Sequence, residues 1–225
     1  MGPIGIFDSG IGGLTVARAT CDLLPNESIL YFGDTAHLPY GEKSPELIRK
    51  YSTRIALHLV NSGCKAIVVA CNSASSNALE QVRQVVGPSI PVIDMVNPVV
   101  ESLYFRSQHS GLIGLIGTRA TISSRLYSAA VNELNSIGGA RFTLKSRSTP
   151  LLASAIEEGF YNDTIPGAVL EAYLVDGYFD DVDAMILGCT HYPLVREEVI
   201  QLLPKSVDVL DSPAIIAKAL KMKLS

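Results

Sequence analysis

Two similar stretches decide the fold: "AIVVACNSAS" at residues 66–75 and "AMILGCTHYP" at residues 184–193. In each of them a short apolar run leads into a cysteine, and small polar residues follow the cysteine. A short, continuous apolar run is typical of a strand buried on both faces, as in a parallel sheet. The two stretches therefore indicate two buried strands, each of which ends on a thiol.

Short apolar runs alternate with amphipathic segments along the whole chain. We predict strands over residues 4–7, 29–33, 66–70, 91–95, 112–117, 142–145, 184–188 and 207–211. We predict helices over residues 12–24, 45–62, 74–86, 119–136, 165–178, 193–203 and 213–222. This alternation indicates an α/β fold, in which helices cover both faces of mainly parallel sheets.

The pattern restarts near residue 98, which indicates two similar halves. "LIGLIGTRATISS" (112–124) repeats the layout of "IGIFDSGIGGLT" (4–15), and the two cysteine stretches form a second such pair. We predict that residues 1–97 and 207–225 form a first α/β lobe and that residues 98–206 form a second. In this interpretation the C-terminal segment returns to complete the first lobe.

Composition and charge exclude several classes of protein. The 225 residues are 48 % hydrophobic, which is enough for a full core, and the net charge of −4 is not that of a nucleic-acid-binding protein. The N-terminus lacks the layout of a signal peptide, and no apolar run approaches the roughly 18 residues that span a bilayer. We therefore expect a cytoplasmic protein that does not contact a membrane.

The four cysteines differ in their surroundings. No CxxC pair is present, so a zinc site or a dithiol redox motif has little support, and we predict no metal. Cys21 and Cys64 lie in apolar contexts and are interpreted as buried, inert thiols. Cys71 and Cys189 lie where a strand passes into a helix, and the backbone N–H groups there favour a thiolate. These two cysteines are the candidate reactive thiols.

Polar clusters follow the predicted strands at their carboxyl ends, which is where open α/β sheets bind ligands. The clusters are "DSGIGG" (8–13), "GDTAHLPYG" (33–41), "CNSAS" (71–75), "GTRAT" (117–121) and "CTHYP" (189–193). His191 lies two residues beyond Cys189 and is a candidate proton partner for that thiol. Loops from two facing lobes are thus expected to line one cleft.

The "DSGIGG" loop allows three interpretations. It could hold phosphate, but Thr15 stands where the dinucleotide fingerprint has its third glycine, and Asp8 would repel a phosphate. Asp8 could instead be a polar partner in the cleft, near a thiol or an ammonium group. The loop could also be a plain turn or helix cap.

Five stretches together resemble the glutamate racemases, which are members of the cofactor-independent aspartate/glutamate racemase superfamily. They are "FDSGIGGL", "GDTAHLPYG", "ACNSAS", "IGTRATI" and "LGCTHYPL", in the family's order and spacing, and the resemblance covers about residues 4–215. It implies two flavodoxin-like lobes related by a pseudo-twofold axis, with the active site in the cleft between them. It also implies interconversion of L- and D-glutamate without a cofactor, supply of D-glutamate for peptidoglycan, and a homodimer.

The same resemblance assigns roles to individual residues. Cys71 and Cys189 match the two catalytic cysteines, with Asp8 assisting the first and His191 the second. Asp8 and His191 also count among the substrate contacts. The other positions that match substrate contacts are Ser9, Pro39, Tyr40, Gly41, Asn72, Ser73, Thr118, Thr121, Glu157 and Thr190.

The chain departs from the family pattern in a few places. Ser73 stands where the family usually has Thr, which keeps the hydroxyl, and Asp94 stands where Gly is expected. "TPLLASAIEEG" (149–159), around Glu157, is looser than the usual pattern, and the chain stops soon after "DSPAIIAKAL". The first strand begins by Ile4, so we do not expect regulation by a cell-wall precursor through an N-terminal extension.

Other functions remain open at this point. Related enzymes on the same scaffold are aspartate racemase, hydantoin racemase and a one-cysteine decarboxylase. The second thiol argues against the decarboxylase. His191 argues against aspartate, because relatives that act on aspartate tend to carry an acid there. A different class is a non-catalytic protein that binds acidic amino acids or inhibits a partner such as DNA gyrase.

Overall fold

The computed structural model describes residues 2–105, 109–160 and 164–224, which form two four-stranded parallel sheets flanked by helices. Each of the eight predicted strands is present. The first sheet contains β1 (Ile4–Asp8), β2 (Ile29–Gly33), β3 (Ala66–Val69) and β4 (Val92–Ile93). The second contains β5 (Ser110–Gly117), β6 (Arg141–Ser148), β7 (Ala184–Gly188) and β8 (Asp208–Val209). The predicted α/β class and the parallel sheets are confirmed.

The two sheets have the same strand order. It is β2-β1-β3-β4 in the first sheet and β6-β5-β7-β8 in the second. β3 and β7, which carry the two cysteine stretches, therefore occupy equivalent places beside β1 and β5. The order reverses between these central strands, and ligands bind at such a switch point.

The helices cover these sheets. They are α1 (Leu14–Leu23), α2 (Pro45–Asn61), α3 (Asn72–Val86), α4 (Asn97–Ser102), α5 (Arg119–Ser123), α6 (Leu126–Gly138), α7 (Pro150–Glu157), α8 (Thr164–Leu174), α9 (Arg196–Leu202) and α10 (Ser212–Leu224). The sequence pattern missed α4 and α7, and it joined α5 and α6 into one helix. Arg125 separates these two because its backbone is left-handed, with a φ of 58°.

The C-terminal segment divides between the two sheets. Residues 207–225 were predicted to return to the first lobe, but β8 pairs with β7 in the second sheet. The return begins with α10, which packs against α1 and α4. β8 follows β7 after a single crossover. Strands that are consecutive in sequence usually lie side by side, so the observed pairing of β8 with β7 follows the usual α/β topology. The rest of the proposed division into lobes stays a prediction.

One hydrophobic core joins the two sheets. The face of β1 that carries Ile6 and the face of β5 that carries Leu115 border the same buried cluster, which α1, α4, α6 and α10 complete. The opposite faces pack into separate clusters, with Phe7 in one and Met185 in the other. β1, β3 and β7 are buried along their whole length, which explains their nearly continuous apolar sequences.

The fold also tests the predictions that Cys21 and Cys64 are buried thiols and that no segment spans a membrane. Cys64 is buried, as expected, but Cys21 is exposed, so the prediction of a buried thiol there was wrong. Cys21 lies near the end of α1, whose buried residues are Val16, Ala17 and Thr20. Among the described residues, no helix combines the length and the apolar character needed to cross a membrane.

Candidate active site

The two cysteines lie at equivalent strand ends. Cys71 follows β3 after one residue and immediately precedes α3, whereas Cys189 directly follows β7. Asp8 ends β1, and Thr118 follows β5 and caps α5. Because each of these strands lies at the switch point of its sheet, the four residues come to one region between the sheets.

Both thiols line one small buried cavity. Its volume is about 20 Å³, which is room for roughly one water molecule. The lining residues come from both halves of the chain: Ser9, Pro39, Tyr40, Gly41, Cys71, Asn72, Ser73, Thr118, Ala153, Cys189, Thr190 and His191. All but Ala153 were predicted as site residues from the sequence.

Three predicted site residues lie one layer behind this lining. Asp8 is fully buried, and its Oδ2 accepts a hydrogen bond from the backbone N–H of Gly13 at 2.8 Å. The hydroxyl of Thr121 is bonded to that of Thr118 at 3.0 Å. Glu157 contacts His191. These three residues therefore support residues or loops that border the cavity.

Cys189 is paired with His191. Its Sγ lies 3.5 Å from His191 Nδ1, and the other ring nitrogen, Nε2, contacts Oε2 of Glu157. Burial acts to lower the pKa of His191, but Cys189, Glu157 and Asp8 outweigh it and raise that pKa to about 11. The imidazole is therefore charged at neutral pH and donates from both nitrogens, toward the sulfur and the carboxylate.

Glu157 completes this arrangement. Burial alone would raise the pKa of its carboxyl, but His191 and the backbone N–H of Ile11 lower that pKa below its usual range. The Ile11 N–H donates to Glu157 Oε1 at 3.2 Å. The carboxylate of Glu157 thus holds the charged imidazole beside the sulfur of Cys189.

Cys71 has different surroundings. Its Sγ donates to the hydroxyl of Ser9 at 3.7 Å. Burial and the charge of Asp8 raise the pKa of this thiol well above its ordinary value, despite the bond to Ser9. Cys71 is therefore a thiol at neutral pH. The cavity therefore brings together two sulfur atoms with different surroundings. Cys71, from the first sheet, is protonated, and Cys189, from the second sheet, lies beside the positively charged His191.

Hydroxyl and amide groups line the remaining wall. The hydroxyls of Ser73 and Thr118 lie 2.9 Å apart across the two sheets, and Thr121 bonds to Thr118 behind them. Asn72 accepts a hydrogen bond at Oδ1 from the hydroxyl of Tyr127 at 2.7 Å. This wall offers polar groups that suit a substrate carboxylate.

The glycines of "DSGIGG" allow the second half of the chain to approach closely. A Cβ on Gly10 would lie 2.4 Å from Glu157 Oε1, and a Cβ on Gly12 would lie 2.7 Å from the ring of His191. The N–H groups of Ile11 and Gly13 are already bonded to the carboxylates of Glu157 and Asp8. A phosphate would need these same groups, so the arrangement disfavours the phosphate-loop interpretation.

Some residues that shape the site were missed by sequence reasoning. Ala153 lies on α7, the helix that the pattern did not predict, four residues before Glu157, which was predicted as a site residue. Asp34 accepts a hydrogen bond from the hydroxyl of Tyr40 at 2.6 Å, and its place in "GDTAHLPYG" could have suggested a role. Nothing in the sequence pattern around Tyr127 marked it.

Comparisons with known proteins agree with this geometry. The profile of the Asp/Glu/Hydantoin racemase family matches residues 15–220. The glutamate racemase of Chlorobaculum parvum is 42 % identical over 223 residues, which are 99 % of this chain and 80 % of that protein. Nearly the whole length of the chain is therefore shared with this relative.

Solved structures match as well. The glutamate racemase of Francisella tularensis, crystallised with D-glutamate, is 37 % identical with a TM-score of 0.88, covering 99 % of this chain and 81 % of that one. The glutamate racemase isoform RacE1 of Bacillus anthracis is 33 % identical with a TM-score of 0.90, at the same coverage of 99 % and 81 %. This chain therefore belongs to the Asp/Glu/hydantoin racemase family and, within that family, to the glutamate racemases.

Proposed function

We propose that this chain interconverts L- and D-glutamate by proton transfer at Cα and so supplies D-glutamate for peptidoglycan. One observation carries the proposal: two thiols, from equivalent strand ends of two sheets, line the same cavity. A reaction between mirror-image substrates needs one proton removed from one face and another delivered to the opposite face. Two residues of the same type suit such a reaction, because the two substrates have equal energies.

The surroundings of the two thiols suit opposite roles. In one direction, Cys189 acts as the base and takes the proton from Cα as the Cα–H bond breaks. Cys71 then delivers its own proton to the opposite face of Cα and is left as a thiolate. His191 Nδ1 lies beside the Cys189 sulfur, and Ser9 can donate to the Cys71 thiolate after the transfer. The reverse reaction uses the same groups with their roles exchanged.

Two buried polar atoms are suited to hold the substrate. Asn72 Nδ2 and Asp8 Oδ1 have no hydrogen-bond partner among the described residues. A donor of this kind fits a carboxylate of glutamate, and an acceptor fits its ammonium group. The D-glutamate in the Francisella protein supports the choice of ligand. In this mechanism, donors aimed at the developing charge assist the thiols, and no cofactor is required.

The cavity must widen to admit an amino acid, since its present volume of about 20 Å³ holds roughly one water molecule. Contacts between the two halves close it: Thr15 donates to the carbonyl of Thr190 at 3.2 Å, and Arg119 pairs with Glu42 at 2.8 Å. We propose that these contacts release and re-form in each cycle. Closure would exclude water from the proton transfer.

The proposal includes a cytoplasmic location and a homodimer. The location follows from the supply of a peptidoglycan precursor, and the homodimer from the resemblance to the glutamate racemases. Gel filtration with light scattering tests the dimer independently of activity.

The test is hydrogen exchange at Cα. In heavy water, the unaltered protein is expected to incorporate deuterium at Cα of both glutamate enantiomers, measured by NMR. Racemisation itself is measured by circular dichroism. The variants Cys71→Ala and Cys189→Ala are each expected to lose racemisation by at least about a thousandfold, because one face then lacks its acid or base. Cys21→Ser, which changes an exposed thiol outside the cavity, is the matched control and is expected to keep full activity.

Three results would contradict the proposal. Normal racemisation by either alanine variant would exclude the two-thiol mechanism. Faster turnover of aspartate than of glutamate in a panel of acidic amino acids would assign a different substrate. Tight binding of glutamate without deuterium incorporation would assign a non-catalytic binding protein.

A further inference from the structure

Tyr127 lies outside the cavity but contacts one of the residues that line it. The side chain belongs to α6 and is only 2 % exposed. Its hydroxyl donates to Asn72 Oδ1 at 2.7 Å, with the carbonyl of Met95 a second acceptor at 3.3 Å. Asn72 opens α3 of the first half of the chain, so this bond joins the two halves next to the cavity.

The bond decides which end of the Asn72 amide is free. An asparagine amide has an acceptor end and a donor end, and the two differ little in shape. With Oδ1 engaged by Tyr127, the free end is Nδ2, which is buried and has no partner among the described residues. Without the tyrosine hydroxyl, the amide loses the contact that distinguishes its two orientations.

The surroundings keep Tyr127 a donor. Burial, together with the charge of Asp94, raises the pKa of its phenol well above the ordinary value, so the hydroxyl stays protonated. The ring belongs to the core that joins the two sheets, and α6 packs against α4 there. Packing of the ring in this core holds the hydroxyl in place.

We propose that Tyr127 is a positioning residue for the racemase reaction: its hydroxyl orients the Asn72 amide so that Nδ2 is presented to a carboxylate of the substrate. This inference rests on the proposed function. A reversed amide would place Oδ1 against the carboxylate, which repels it. Because a substrate carboxylate is charged both in the bound substrate and in the transition state, the effect falls mainly on binding.

The experiment is a comparison of Tyr127→Phe, Asn72→Ala and the double variant. Tyr127→Phe is expected to raise the KM of both glutamate enantiomers by roughly tenfold to a hundredfold, the range for one hydrogen bond to a charged group. Its kcat is expected to change much less. In the Asn72→Ala background, the same change is expected to leave KM unaltered, because there is no amide to orient.

A matched control separates positioning from packing. Tyr192 is fully buried, and its hydroxyl is bonded to Thr149, which does not line the cavity. Tyr192→Phe is expected to lower the melting temperature about as much as Tyr127→Phe does, without a change in KM.

The outcomes distinguish this inference from the proposed function. If the unaltered protein does not exchange the Cα hydrogen of glutamate, the proposed function fails. If the unaltered protein racemises glutamate but Tyr127→Phe keeps a normal KM, the inference about Tyr127 is wrong. The inference is also wrong if Tyr127→Phe raises KM by the same factor in the unaltered protein and in the Asn72→Ala background. Tyr127 would then act through other residues.

Discussion

At the scale of single residues, the two thiols are chemically unlike although their strand ends are equivalent. Cys189 lies beside the charged ring of His191, whereas burial and the charge of Asp8 raise the pKa of Cys71. The equivalent strand ends bring the two sulfur atoms to one cavity, and the neighbouring residues make their surroundings different.

The charge on His191 leads to a prediction about stability. Its pKa in the folded protein is about 11, above the value of about 6.5 in an unfolded chain. The stabilisation is therefore complete below a pH of about 6.5 and is lost as the pH rises toward 11. We expect the difference in free energy of unfolding between the unaltered protein and His191→Asn to shrink over this range, measured by urea denaturation. A difference that stays constant would contradict the charged imidazole.

Ser73 is a departure from the family pattern that lies in the cavity wall. Its hydroxyl is 2.9 Å from that of Thr118 and 3.5 Å from that of Thr121. These bonds use the hydroxyl that serine and threonine share. The prediction that the hydroxyl alone matters at this position is consistent with the geometry and still needs a measurement.

At the scale of elements, the glycine loop before α1 determines how closely the second half of the chain can approach. A side chain at Gly10 or Gly12 would have to displace Glu157 or His191, which fill that space. The glycines of the loop therefore leave room for side chains of the second half. The backbone N–H groups of the loop donate to carboxylates of the protein.

Gly12→Ala tests this role. The added Cβ would lie 2.7 Å from the His191 ring and 2.8 Å from the Thr190 hydroxyl, so one of them must move. We expect a loss of about 1–3 kcal/mol in the free energy of unfolding and a fall of roughly tenfold or more in kcat/KM. Gly167→Ala, in α8 with no neighbour within 4 Å, is the control and is expected to be neutral or stabilising. Equal behaviour of the two variants would contradict the close-approach argument.

The start of α4 explains the unexpected Asp94. Its buried carboxylate accepts hydrogen bonds from the N–H groups of Val96 and Asn97, each at 2.8 Å, and from the side chain of Asn97. Arg83 lies within 3.3 Å of the same carboxylate. The carboxylate of Asp94, whose role the sequence did not explain, thus satisfies backbone amides at the N-terminus of α4, a helix of the shared core.

Removing that carboxylate is expected to cost stability. Asp94→Ala leaves one buried and one partly buried N–H group without their acceptor, so we expect a loss of about 2 kcal/mol in the free energy of unfolding. Asp22→Ala, which removes an exposed partner of Arg18, is the matched control and is expected to have little effect. Thermal and urea unfolding of both variants measure the difference, and equal losses would show that Asp94 does not cap α4.

At the scale of the whole molecule, the two sheets are joined by a core on one side and by separable polar contacts around the cavity. The core is apolar and continuous from Ile6 to Leu115. The contacts around the cavity are single hydrogen bonds or ion pairs, such as Thr15 with Thr190 and Arg119 with Glu42. Motion that admits a substrate is therefore expected on the cavity side.

Amide hydrogen exchange can detect that motion. The Ile11 N–H bonds across the two halves to Glu157, whereas the Gly13 N–H bonds to Asp8 within its own half. Opening breaks the first bond and spares the second. We expect Ile11 to exchange faster than Gly13 in the free protein, and saturating glutamate to slow Ile11 by about tenfold or more while changing Gly13 little. An unchanged rate at Ile11 would contradict opening at this edge.

Much of the fold could be predicted because its signals are local. Most of the strands are short apolar runs, and the two lobes repeat a strand, a glycine and a hydroxyl. The helices α4 and α7 were missed, since α4 has six residues and α7 is largely apolar without a clear polar face. The pairing of β8 with β7 was missed because a two-residue strand carries no sequence pattern that identifies its neighbour.

The sequence by itself determined the α/β class, the repeated layout and the two strand-end thiols, because each depends on residues close together in the chain. Its resemblance to the glutamate racemases supplied nearly all of the cavity lining. Only the tertiary structure decided how the groups act on one another. Glu157 lies 34 residues from the His191 that it holds, and Tyr127 lies 55 residues from the amide of Asn72. Protonation and orientation depend on burial and on such distant neighbours, and these exist only once the sheets have packed together.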